Sequence, residues 1–146
     1  MKLDKENILT QLLVHNYAEA EFSIMDGKKP VKFRTLSAGA QMSIEEIISK
    51  LPETSSRVLV LHTYTMELLA RTLVQYGDRK FDVSIPEKTL EYIKELPPQI
   101  LDILSKLRDD FQKSILEIST PEELKTHFFP VNSSEEESNL STKDLT

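Results

Sequence analysis

Three histidines, two adjacent carboxylate pairs and two adjacent serines are the side chains with which this sequence could do chemistry, and their spacing decides what they can do. His15, His62 and His127 lie far apart. None has a second histidine three or four residues away, the separation that sets two metal ligands on one helix face. Glu45-Glu46 and Asp109-Asp110 are neighbours. Adjacent residues on a helix point about 100° apart, so neither pair converges on a substrate as catalytic acid and base must. Ser55 and Ser56 lack the Gly-x-Ser-x-Gly setting that presents a nucleophile, and both suit helix capping better. With three glycines in the chain, there is no loop of N–H groups to cradle a phosphate; "SAGAQ" is not one. The absence of cysteine removes a thiolate metal site, a cysteine nucleophile and a disulfide framework. The expectation is therefore no enzyme, no metal and no cofactor, and a chemistry of surfaces.

Charge narrows the partners. The formal net charge is −6, and a surplus of carboxylates opposes the counterion release that drives binding to nucleic acid. Lys28, Lys29, Lys32 and Arg34 are the nearest approach to a basic patch. They enclose Phe33 but no wider set of aromatic rings on which bases could stack, so no nucleic-acid partner is expected. The N-terminal stretch "MKLDKENILTQLLVHNYAEAEF" has acidic residues within its first six positions and no long apolar run, so neither a leader nor a membrane anchor is expected there. A chain of 146 residues suffices for one domain, which at that size buries roughly 68–70% of its unfolded surface.

The elements that position these side chains are read from apolar spacing. Residues 4–16 carry Ile8, Leu9, Leu12 and Leu13 at helical intervals behind the cap candidate Asp4. Phe22 and Ile24 alternate before Asp26-Gly27, and Val31 and Phe33 after it, which predicts a hairpin near 20–36. Pro30 opens its second arm, and a strand residue without an N–H suits an edge, so the hairpin is expected at the periphery. From Ser37 to Pro52, Met42, Ile44, Ile47, Ile48 and Leu51 predict a second helix. The run 54–77 sets Val58, Leu61, Thr65, Leu68, Thr72 and Tyr76 on one line. "RVLVLHTYT" alone has strand character, but Gly77 stands where a helix-ending glycine belongs, and one helix is expected. Pro86 opens another, with Leu90, Ile93 and Leu96 inward. Pro97-Pro98 restart the chain into a long helix with Ile100, Ile103, Leu104, Leu107, Phe111 and Ile118 on a face. Thr120, Pro121 and Glu123 mark a last short helix. The expected fold is mainly α: a small domain over 1–129 of about five to six helices with a short N-terminal hairpin, followed by a polar, acidic tail over 130–146 that is disordered when alone.

A stripe at helical spacing usually faces a core, but three stripes over 54–118 can also frame a groove for a partner helix. In order and pattern, residues 31–125 resemble the phage tail assembly chaperones. "VKFRTLSAGAQMSIEEI" is similar to the family's entry strand and first helix, "ELLARTLVQYGD" to the following helix, "ELPPQILDILSKL" to its Leu-Pro step, and "RDDFQKSILEI" to its closing amphipathic stretch. "DRKFD" after Gly77 departs from that pattern, as does the helix at 4–16, so a baseplate-hub chaperone stays open beside the tape-measure type. The resemblance implies a protein of the infected host cytoplasm, absent from the mature virion. It would coat the helical tape measure protein, keep it soluble, and help deliver tail tube subunits, with self-association an open alternative. A longer frameshifted form in that family would join near Pro130. The groove positions implied by the stripes are Leu68, Leu69, Leu73, Leu104, Leu107 and Phe111, with Arg71 and Tyr76 as rim contacts. The alternative is a structural or adaptor component of a tail or baseplate, with the hairpin as its docking edge.

Overall fold

The computed structural model describes residues 3–129; the tail expected from Pro130 lies outside the described residues. Helix α1 (Lys5–His15) starts where Asp4 accepts a hydrogen bond from the Asn7 N–H, and it stops at Asn16 in the left-handed region. Strands β1 (Glu19–Ile24) and β2 (Lys29–Arg34) form the expected hairpin with Phe22 opposite Val31. Met25, Asp26 and Gly27 all have positive φ in its loop. Helix α2 (Ala38–Ser49) is capped by Ser37, and α3 (Arg57–Thr72) by Ser56.

Two expectations are corrected here. Helix α3 ends at Thr72, and Leu73–Tyr76 leave it as strand β3. The reason is non-local: Leu73, Gln75 and Tyr76 pair with Phe33, Lys32 and Val31, so a segment of moderate helical spacing gains a ladder on β2 that no local window contains. Gly77 has the positive φ of +64° expected of it, but it serves the tight turn into β4 (Arg79–Lys80) and not a helix end. The hairpin is consequently not peripheral. The sheet order is β1-β2-β3-β4, so β2 has a neighbour on both sides. Pro30 is tolerated at the start of that inner strand, where its carbonyl accepts from the Gly77 N–H at 2.8 Å.

Helix α4 (Pro86–Lys94), α5 (Pro98–Ile118) and α6 (Pro121–Phe128) follow the proline-marked starts read from the sequence. In α6, Thr120 accepts from the Glu123 N–H at 3.2 Å as a capping threonine should. Among the described residues the fold is thus mainly α, with six helices around a four-stranded antiparallel sheet. One face of the sheet is the centre of the core. Phe33 of β2 stacks on Phe111 of α5 with centroids 6.1 Å apart, and Phe22 of β1 meets Phe111 edge-on at 6.1 Å. Ile8 of α1, Leu69 and Ala70 of α3, Ile93 of α4 and Leu104 and Ile115 of α5 close over these rings. Helix α6 is held to α1 by Lys5–Glu123 at 2.6 Å and His127–Glu6 at 3.1 Å.

Candidate functional site

The helices that were expected to frame a groove do so, but with other residues. Leu69, Leu73, Leu104 and Phe111 are at most 1% exposed, and Leu68 and Tyr76 at most 8%. Leu107 is half-buried against the same core, and Arg71 pairs with Glu67 one helical turn before it, both side chains about nine-tenths buried. These eight positions are interior or packed against it and do not form an open wall. The reason is the sheet, which lies on the face of α3 and α5 that the stripes alone left uncovered.

What stays open is the first half of α3. Its buried residues begin at Met66, whereas Val58 is 76% and Leu61 61% exposed. α5 starts beside them after the elbow at Pro97-Pro98, and the two helices with the end of α4 enclose a groove of about 710 Å³. Val58, Leu61, Thr65 and Met66 form one wall. Leu96, Pro98 and Leu101 form the other, and Lys94 and Asp102 sit on it with opposite charge. Val58, Leu61 and Thr65 belong to the very line of residues that marked α3 in the sequence. The periodicity located the stripe but could not tell which half the sheet and α5 would cover.

The residues considered for chemistry stay apart. His15 lies beside Tyr17 with ring centroids at 6.0 Å, His62 lines the groove, and His127 bridges to α1. The His127 imidazole is held above its ordinary pKa of 6.5, first by its hydrogen bond with Glu6 and then by the Glu123 carbonyl. Glu45 accepts from Gln41 at 3.2 Å and Glu46 pairs with Lys50 at 3.1 Å, in both cases on the surface of α2. Asp109 pairs with Arg108. Ser56 caps α3 by accepting from the Leu59 N–H at 3.1 Å. Among the described residues, no three histidine, aspartate or glutamate side chains come together in a way that could hold a metal ion. No helix among them is long and apolar enough to cross a membrane.

The basic stretch at 28–34 is split by strand alternation. Phe33 points into the core at 0% exposure. Lys32 and Arg34 turn to the opposite face, where Glu19 binds them at 3.2 and 2.6 Å. Burial works against the Glu19 anion, but the hydrogen bonds and charges of Arg34 and Lys32 outweigh it and hold its carboxyl below 4.5. The remaining two lysines, Lys28 and Lys29, are left at the loop end of the hairpin. No family model matches the chain, and neither a curated protein nor a solved structure does.

Proposed function

We propose that the protein is a non-catalytic assembly chaperone of the phage tail type, which holds an amphipathic helix of the tape measure or a hub protein in the groove between α3 and α5. The observation that supports this reading is the exposure of Val58 and Leu61 beside an apolar cleft with a charged lip. Apolar side chains gathered at a groove and rimmed by polar groups mark a protein-binding site, and two helices at the width of a groove accept a third through anchors at helical intervals. A long helix with exposed apolar seams aggregates unless such a partner covers it, and a net charge of −6 keeps the pair in solution. On this reading the protein works in the cytoplasm of the infected host and is absent from the finished particle.

The test is co-expression with the longest helical protein encoded beside it, reading the soluble fraction of that partner. Co-purification that is lost in Val58→Asp/Leu61→Asp supports the reading. An insoluble partner with this chain free in the supernatant contradicts it.

A second reading, a permanent adaptor of the tail or baseplate, is favoured by the outer edge of β1. The Thr35 N–H donates to the Ala18 carbonyl, so with the strand period of two the backbone groups of Ala20, Phe22 and Ile24 turn to β2. Those of Glu21 and Ser23 face outward and can take a partner's strand. This reading requires the protein in purified mature particles, where the chaperone is missing.

A further inference from the structure

The two hairpin loops meet at one end of the sheet. β2 and β3 are neighbours, and the Gly77 N–H bonded to the Pro30 carbonyl draws the 25–28 loop against the Gly77-Asp78 turn. Lys28 and Lys29 from one loop thereby join Arg79 from the other, in a chain of net charge −6. Among the described residues none of these three enters an ion pair, whereas Lys32 and Arg34 of the hairpin's second strand are both held by Glu19.

Aromatic rings orient two of these cations without neutralising them. The Lys29 ammonium lies 4.0 Å from the centroid of Tyr76, and the Arg79 guanidinium 4.5 Å from that of Tyr92. Gly77 makes room for the first: a Cβ there would stand 2.9 Å from the Lys29 Cε. Between the oriented cations is a cleft of about 480 Å³.

We propose that this cleft docks an acidic protein segment, a short run of Asp or Glu whose carboxylates bind Lys29 and Arg79. Charge complementarity carries the assignment: fixed cations without an ion-pair partner, gathered at one cleft, select a carboxylate-bearing segment. An arginine stacked on a ring keeps its edge N–H groups for a two-point bond to a carboxylate. Nucleic acid fits less well. Lys29 and Arg79 already cover the tyrosine faces on which bases would stack, and the cations form one compact cluster and not a stripe along a backbone. The site is separate from the α3–α5 groove, because Tyr92 and Lys94 are two residues apart on α4 and point to different sides of it.

Fluorescence anisotropy with a labelled Glu-rich peptide and the full chain tests the proposal. Binding should weaken about tenfold or more in Lys29→Glu/Arg79→Glu and when salt rises from about 50 to about 200 mM. The exposed Lys28→Glu, also on the cleft, should weaken it as well, which keeps the test valid if the first variant misfolds. Lys106→Glu/Lys113→Glu on α5 should leave it unchanged. Undiminished binding to both hairpin variants would overturn the proposal, as would tighter binding of a single-stranded oligonucleotide of equal length. So would peptide binding that is absent from the wild-type chain and appears only in the variant Glu135→Gln/Glu136→Gln/Glu137→Gln, since the cleft would then belong to the chain's own carboxylates.

Discussion

Gln11 of α1 occupies the edge of β1 as a neighbouring strand would: the Glu19 N–H donates to its Oε1 at 2.8 Å, and its Nε2 donates to the Glu19 carbonyl at 3.4 Å. One side-chain amide thus closes the first outward-facing position of an open strand, which limits edge-to-edge pairing. Gln11→Ala should cost about 1 kcal/mol in urea denaturation and should introduce concentration-dependent association in sedimentation velocity. An unchanged midpoint with a monomer at all concentrations would show that the edge needs no such closure.

The two halves of the apolar stripes should separate sharply on substitution. Phe111→Ala removes a ring stacked on Phe33 and should cost roughly 3–5 kcal/mol. Leu61→Asp, at a position 61% exposed, should stay within about 0.5 kcal/mol. Chemical denaturation of both variants checks this, and a large loss in Leu61→Asp would mean that the first half of α3 is covered in solution.

Arg108 on α5 has a side chain 11% exposed and bonds Asp109 at its tip, while its Nε is buried with no hydrogen-bond partner. A buried donor without an acceptor is a standing cost of about 1–3 kcal/mol. Arg108→Met keeps the length and removes the donor, so it should raise the unfolding free energy by about 1 kcal/mol. A lower thermal midpoint would place a favourable interaction at that nitrogen.

His127 makes the docking of α6 pH-dependent. Its folded pKa lies above the ordinary 6.5, chiefly through Glu6 and then the Glu123 carbonyl. A raised folded value means the contribution is complete below 6.5 and disappears as pH climbs through the folded pKa. Amide exchange across α6 should therefore be faster at about pH 8 than at about pH 6, after correction for the intrinsic rate. Glu6→Gln should move the His127 titration back toward the unfolded value, and an unmoved titration would contradict the pairing.

Much of this fold is legible in local patterns. Asp4, Ser37, Ser56 and Thr120 all cap helices as their positions suggest, because a cap is a bond between near neighbours. Pro86, Pro98 and Pro121 open helices for an equally local reason, a fixed φ and a missing N–H. What escaped is set by distant partners. The strand identity of Leu73–Tyr76 depends on β2, and the burial of Leu69, Leu104 and Phe111 depends on the core that the sheet's Val31 and Phe33 share with them. The groove residues Val58 and Leu61 stood in plain view on the α3 stripe, yet their exposure is a property of where α5 begins and ends. The cationic cleft was legible in part: Lys28 and Lys29 are adjacent in sequence, while Arg79 joins them through the β2–β3 and β3–β4 pairings.

That pairing also dictates an order of assembly. The ladder joining residue 33 to residue 73 closes a long loop, whose entropy must be overcome before the centre of the sheet exists. As the chain leaves the ribosome, the β1–β2 hairpin and the first helices have local contacts to form, but Phe22 and Phe33 stay uncovered until Phe111 arrives from α5. The aromatic centre is thus completed by one of the last elements synthesised. A chain stopped short of Phe111 would own the four strands, four helices and the start of a fifth, and no ring to close over Phe22 and Phe33.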